Sequence, residues 1–195
     1  MNQINSDSDT IAGVVLIGGK SSRMGKDKAL LEINNQPLYK IAVKKLLPFC
    51  NQVYLSVNKN QNSENTYEYP TIIDQYEAQG PIGALLSCMN EIDDSPLLVL
   101  GCDMPFLTDK EINLLLSNRN RNQICTTFYN AQSNIYEPML SIWESHARHV
   151  LESYFKAGHL SLQKFLRQQD IHKINTPEES NFSNINYPEE WKTIM

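Results

Sequence analysis

The stretch from Ile11 to Lys28 constrains this chain more than any other. It opens with an unbroken apolar run, Ile11-Ala12-Gly13-Val14-Val15-Leu16-Ile17, ends that run in the pair Gly18-Gly19, and continues with Lys20, Arg23, Lys26 and Lys28. A short β-branched run without polar alternation reads as a strand buried on both faces, as in a parallel sheet. The glycine pair lets the backbone turn where a side chain would block it. Such a turn can aim successive N–H groups into one concavity that suits an anion. Arg23 adds a planar fork for phosphate oxygens, and the lysines add mobile point charges. Strand, turn and basic segment together specify a polyphosphate site. The alternative, on spacing alone, is a solvated basic loop behind a core strand. Neither common phosphate motif fits: G-x-G-x-x-G needs glycine at Lys20, and G-x-x-x-x-G-K-[ST] fails because Asp27 follows Lys26.

The rest of the chain alternates strand and helix. Residues 1–10, rich in Asn, Ser and Asp, read as a flexible leader, and residues 11–195 as one domain. After a turn at Asn34-Asn35, Pro37 suits a helix start. Leu38, Ile41, Ala42, Lys45 and Leu46 then recur at helical spacing. Val53 to Val57 and Thr71 to Asp74 read as strands, and the polar stretch Asn58 to Tyr69 as a surface loop. Gly80-Pro81 starts a helix to about Ile92, in which Gly83 permits close approach of another backbone. Leu97 to Gly101 is a fourth buried strand, and Thr108 with Glu111 forms a capping box for the next helix. Ile124 to Tyr129 and Tyr136 to Trp143 read as further strands, Glu144 to Lys156 as a helix, and a short helix follows Ser161. The phrases Ile174-Asn175-Thr176-Pro177 and Ile185-Asn186-Tyr187-Pro188 both suit helix starts. This order predicts an α/β fold: a three-layer Rossmann-like αβα domain around a mainly parallel (mixed) twisted sheet. In such sheets ligands bind beyond the carboxyl ends of the strands. Gly18 to Lys28, Asp74 and Asp103 all fall at such ends.

Composition narrows the partners. A formal net charge of −5 argues against a nucleic-acid binder, and it leaves room for a small anionic substrate held by a local field. No apolar run approaches the roughly 20 residues of a membrane helix, and the first ten residues lack the pattern of a signal peptide. The expected location is the cytoplasm. Cys50, Cys88, Cys102 and Cys125 form no C-x-x-C motif and read as reduced thiols.

Among single residues, Asp103 stands out. It follows an apolar strand and precedes Pro105, which fixes it at the sheet's edge. A lone carboxylate together with NTP phosphates is a usual way to hold Mg²⁺; the alternative is a turn or capping Asp. Asp74 can accept from base or ribose donors, or be a solvated strand end. Lys28 is placed to reach phosphates.

Leu16-Ile17-Gly18-Gly19, then Arg23-Met24-Gly25, Lys28 and Leu30-Leu31 resemble the signature of nucleotidyltransferases that activate a phosphorylated acceptor, most closely the molybdenum cofactor guanylyltransferases. That family's pattern is Leu-Ala-Gly-Gly, a basic segment, Arg-Met-Gly and a Lys. Ile17 stands where Ala is usual, adding bulk beside the expected base pocket. Cys102-Asp103-Met104-Pro105 resembles the family's metal motif, Asp74 its nucleotide-binding Asp, and Gly80-Pro81-Ile82-Gly83 a segment beside the nucleotide. Glu137-Pro138 resembles an acceptor-side segment. Asn184-Ile185-Asn186-Tyr187-Pro188-Glu189-Glu190 resembles the pterin-side Asn-x-Asn-Thr-Pro-Glu-Glu, with Tyr187 for Thr; Asn175-Thr176-Pro177-Glu178 is a rival match. The resemblance implies catalytic roles for Arg23, Lys28 and Asp103, with Asp103 the metal ligand. It implies nucleotide contacts from Leu16, Ile17, Gly18, Gly19, Lys28, Asp74, Gly80, Pro81 and Asp103, and acceptor contacts from Asn184 and Asn186. The implied substrates are GTP, with Mg²⁺, and molybdenum-molybdopterin. The implied protein partners are apo-molybdoenzymes or an upstream cofactor-insertion protein, with no nucleic acid and no membrane.

Three rivals follow from the same residues. One is a cytidylyltransferase of the same pathway, against which the Gly18-Gly19 pair counts. Another is a sugar-phosphate nucleotidyltransferase. A third, from a different class, is a non-catalytic nucleotide or cofactor carrier, which pyrophosphate release would separate from an enzyme.

Overall fold

In this computed structural model, residues 10–18, 27–76, 78–177 and 182 are described. The chain forms β1 (Ala12–Leu16), a 3-10 turn (Lys28–Leu30), the small hairpin β2 (Glu32–Ile33) and β3 (Gln36–Pro37), then α1 (Leu38–Leu46), β4 (Gln52–Val57), α2 (Lys59–Glu64) and β5 (Thr71–Ile73). There follow α3 (Pro81–Glu91), β6 (Leu97–Gly101), α4 (Asp109–Ser117), β7 (Cys125–Asn130), β8 (Ile135–Trp143), α5 (Ala147–Lys156), α6 (Leu162–Gln168) and β9 (His172–Asn175).

The large sheet has seven strands in the order β5-β4-β1-β6-β8-β7-β9. β1 pairs in parallel with β4 and β6, β4 with β5, and β7 with β9, so only β8 runs against its neighbours. The fully buried β1 follows from this place: alternate residues feed opposite cores. Val15 joins Val43 and Leu46 of α1 and Ile112 and Leu115 of α4. Val14 and Leu16 join Leu85 and Leu86 of α3, Leu151 of α5 and Phe165 of α6. Helices therefore cover both faces, which is what an uninterrupted apolar strand requires. From β1 the chain steps outward to β4 and β5, then crosses back to β6 on the other side. The strand order reverses between β1 and β6, and the crevice beyond their carboxyl ends is where such sheets bind ligands.

Local chemistry explains the connections. Asn34 and Asn35 both have positive φ, 50° and 58°, the backbone a two-residue hairpin turn needs. Thr108 and Glu111 form the expected capping box at α4. Gly80, at φ 70°, caps α3 with Pro81 at its first position.

Two expectations are corrected, and one strand is added. Asn58 to Tyr69 contains α2, closed by a capping box between Asn58 and Gln61. Ile174-Asn175 lies in β9, an edge strand in parallel register with Thr126 to Tyr129, while Glu178 and Glu179 of the same phrase lie outside the described residues. α5 begins at Ala147, three residues after Glu144, whose buried carboxylate makes a bidentate pair with Arg119 at 2.7 Å to both oxygens. Pro37, the last residue of β3, is the N-cap of α1, so the expected helix start holds to within a residue. Among the described residues no helix is long and apolar enough to cross a membrane.

Candidate active site

β1 and β6 end side by side, and the turn after β6 is laced to β1: the Cys102 N–H donates to the Leu16 carbonyl at 3.2 Å. Asp103 stands on this turn. Its Oδ2 accepts from Lys28 Nζ at 3.0 Å, with the two side chains 22% and 17% exposed. Its Oδ1 is buried and has no hydrogen-bond partner among the described residues. Gly101 makes that placement possible. A Cβ there would lie 2.7 Å from Asp103 Oδ1 and 3.2 Å from Met139 Cε, so any side chain would displace the carboxylate. A buried carboxylate oxygen without a donor is costly, and a bound cation would relieve that cost. The residues present therefore fit a divalent metal at Asp103.

Lys28 reaches Asp103 because Asp27 shapes the backbone before it. Asp27 Oδ1 accepts from the Ala29 N–H at 3.0 Å and caps the 3-10 turn that starts at Lys28. Asp27 Oδ2 accepts from Gln61 Nε2 at 2.8 Å. The same Nε2 donates to the Ile17 carbonyl at 3.0 Å. Gln61 Oε1 accepts from the Asn58 N–H at 2.9 Å, and Gln61 is only 6% exposed.

β8 carries the third component. Its pairing with β7 slips between Thr127 and Tyr129, so Glu137 to Leu140 bulge opposite Phe128. Thr127 Oγ1 donates to the Glu137 carbonyl at 2.7 Å, and Ser141 Oγ to that of Pro138 at 2.7 Å. Bulges of this kind re-aim side chains beside active sites. Burial pushes the Glu137 carboxyl up to about 7, the nearby Asp103 pushes the same way, and a hydrogen bond from the Met139 N–H opposes them.

Asp74 ends β5. Its Oδ1 accepts from the Tyr76 N–H at 2.9 Å and from Ser87 Oγ at 3.1 Å, which ties the strand end to α3. β5 is three strands from β6, about 14 Å at the usual spacing. Exposed Gly80 and Pro81 follow at the start of α3.

The end of β1 differs from expectation in two respects. The Gly18 N–H, like that of Ile17, donates to the Ser56 carbonyl at 3.2 Å, so it faces β4 rather than an anion. The Ile17 side chain is 4% exposed and packs in the α1/α4 core, which takes its extra bulk away from the crevice. Leu16 is likewise buried. Residues 1–9 of the leader, Lys20, Lys26 and the expected site residues Gly19, Arg23, Asn184 and Asn186 lie outside the described residues. The four cysteines are free thiols, and burial pushes Cys50 and Cys88 up to about 12 and Cys102 and Cys125 up as well.

Two residues of this region escape a sequence reading. Gln61 carried a usable signal, the N-x-x-Q spacing from Asn58. Tyr67 did not: its buried hydroxyl lacks a partner among the described residues, and its ring packs edge-on to Tyr39 at 5.3 Å.

A family model described as MobA-like NTP transferase domain matches residues 13–174. The chain is 30% identical over 186 residues to a molybdenum cofactor biosynthesis bifunctional protein of Synechocystis, covering 93% of this chain and 53% of that protein. It thus spans about half the length of that relative. It is 28% identical over 191 residues to a molybdenum cofactor guanylyltransferase of Haemophilus influenzae, covering 95% of this chain and 98% of the other. Molybdopterin-guanine dinucleotide biosynthesis protein A from Archaeoglobus fulgidus shares the fold, with a TM-score of 0.77 at 21% identity over 94% of this chain and 96% of that one.

Proposed function

The chain belongs to the family of MobA-like NTP transferase domains, and from that premise we propose that it transfers the GMP group of GTP to molybdenum-loaded molybdopterin, releasing pyrophosphate. The observation that carries this is the Lys28–Asp103 pair, whose Asp103 Oδ1 has no partner among the described residues, where the strand order reverses between β1 and β6. A cation and a metal-competent carboxylate side by side suit a triphosphate.

In the reaction a terminal phosphate oxygen of the acceptor forms a bond to the α-phosphorus. The bond from that phosphorus to the bridging oxygen breaks, and pyrophosphate leaves with the electron pair. The attacking oxygen is already anionic, so no general base is needed. Catalysis then rests on positioning and charge stabilisation. Lys28 and Arg23 hold the leaving pyrophosphate. Asp103 is the residue to hold Mg²⁺, which when bound neutralises charge on the phosphate oxygens. Asp74, Gly80 and Pro81, toward β5, hold the nucleoside, and the backbone around Gly18 and Gly19 supports the nucleotide from β1. Asn184 and Asn186 take the acceptor. The product passes to apo-molybdoenzymes or to a cofactor-insertion protein in the cytoplasm.

The test is transfer of label from α-³²P-GTP to molybdenum-molybdopterin, with wild type and Asp103→Asn. Wild type should yield labelled dinucleotide, and the variant should lose about a hundredfold or more. Folded wild type that transfers no label would sink the proposal.

A further inference from the structure

α2 is polar on nearly every side, yet it buries one residue completely enough to matter. Gln61 is 6% exposed, and its carboxamide is fully engaged: both Nε2 hydrogens are donated, to the Ile17 carbonyl at 3.0 Å and to Asp27 Oδ2 at 2.8 Å, while Oε1 accepts from the Asn58 N–H. Ile17 and Asp27 are ten residues apart in sequence and flank the basic stretch on either side. One amide nitrogen therefore ties the end of β1 to the residue that leads into Lys28.

We propose that Gln61 is a positioning residue of the nucleotide site: it clasps Ile17 to Asp27 and, through Asp27, sets Lys28 against Asp103. The inference rests on the nucleotide-binding reading given above. The chain of contacts is continuous. Gln61 holds Asp27 Oδ2, Asp27 Oδ1 holds the Ala29 N–H, and that capped turn starts at Lys28, whose Nζ lies 3.0 Å from Asp103. Bulk water reaches a 6% exposed group poorly, so losing the amide leaves the Ile17 carbonyl and one Asp27 oxygen short of a donor. The carboxamide donates to both acceptors and at the same time accepts from the Asn58 N–H. A carboxylate at position 61 supplies no donor and sets like charge against Asp27. A clasp made before the ligand arrives also removes an ordering cost from binding, which is how preorganisation raises affinity. Its loss should therefore appear first in KM for the nucleotide.

The test uses the full chain with Gln61→Glu and Gln61→Met, the second preserving volume if the first folds poorly. Arg119→Ala serves as the comparator, a variant that removes a buried ion pair beside the start of β6, at the opposite end of that strand from Asp103. Two readouts are taken below every variant's melting temperature. Hydrogen exchange of the Ala29 amide, without nucleotide, should speed up about tenfold or more in both Gln61 variants while core amides of β1 and β6 hold. KM for GTP in pyrophosphate release should rise about tenfold with kcat within about threefold, and Arg119→Ala should leave KM unchanged. The double variant Gln61→Glu with Asp27→Asn exchanges donor and acceptor across the clasp. It restores the link to residue 27 but leaves the Ile17 carbonyl without its donor, so KM should fall part of the way back from the Gln61→Glu value. Wild-type KM in the Gln61 variants, exchange that rises uniformly as in a general loss of stability, or a double variant whose KM is no lower than that of Gln61→Glu would each overturn the inference. Wild type that neither binds nor turns over GTP would overturn the functional reading, and this role with it. The Ala29 exchange would still show whether the clasp itself exists.

Discussion

Replacing Glu137 by Gln should make the protein more stable at alkaline pH. The Glu137 carboxyl is raised from an ordinary 4.5 to about 7, first by burial and then by Asp103. Between those values the folded protein keeps a proton that the unfolded chain releases. Stability from this residue is therefore complete below about pH 4.5 and is lost as pH rises through 7. At about 1.4 kcal/mol per pH unit the loss is about 3 kcal/mol. The carboxamide that Glu137→Gln introduces mimics the neutral acid, and its carbonyl can still accept from the Met139 N–H, so the decline disappears. For a chain of 195 residues, this corresponds to a melting temperature about 6–12 °C above wild type at pH 8, shrinking to near zero below pH 4.5. Thermal unfolding of both proteins from pH 4.5 to 8.5, in EDTA and without nucleotide, reads this directly. Parallel curves across that range would refute the reasoning, because they would mean that Glu137 meets solvent and ionises normally.

Other substitutions probe separate parts of the account. Gly101→Ala puts a Cβ 2.7 Å from Asp103 Oδ1. It should cut kcat/KM by about a hundredfold with little change in the melting temperature, measured by pyrophosphate release and calorimetry. Arg119→Ala leaves Glu144, 9% exposed at its side chain, as an unpaired buried charge. Denaturant unfolding should show a loss of about 3–5 kcal/mol. Tyr67→Phe removes a buried hydroxyl that has no partner among the described residues, so stability should stay within about 1 kcal/mol of wild type or rise.

Legibility in the sequence followed burial. β1 and β6 are covered on both faces, so their runs are unbroken and their ends could be placed to within a residue or two. From those ends topology brought Lys28 and Asp103 to the same crevice, but their pairing was not legible because it runs through Asp27 and Gln61. β9 is an edge strand whose residues alternate between half-buried and exposed, and one apolar residue, Ile174, is too little pattern to mark it. α2 hid for the opposite reason. It buries a single polar residue, so hydrophobic periodicity is silent and only the Asn58–Gln61 cap spacing could have marked it. The direction of the Gly18 N–H was not legible because it depends on where the Ser56 carbonyl of β4 falls, a contact across 38 positions of sequence. The bulge at Glu137 likewise arises from the hydroxyls of Thr127 and Ser141 on neighbouring strands.

The central claim is that the crevice beyond β1 and β6 transfers GMP with Asp103 as the metal-holding carboxylate. Its most direct test is pyrophosphate release with GTP, CTP and ATP in parallel, with Mg²⁺ and molybdenum-loaded molybdopterin, for wild type and Asp103→Ala. The account predicts release with GTP, little with CTP or ATP, and loss of release in the variant. Equal turnover by Asp103→Ala, or preference for CTP, would contradict it.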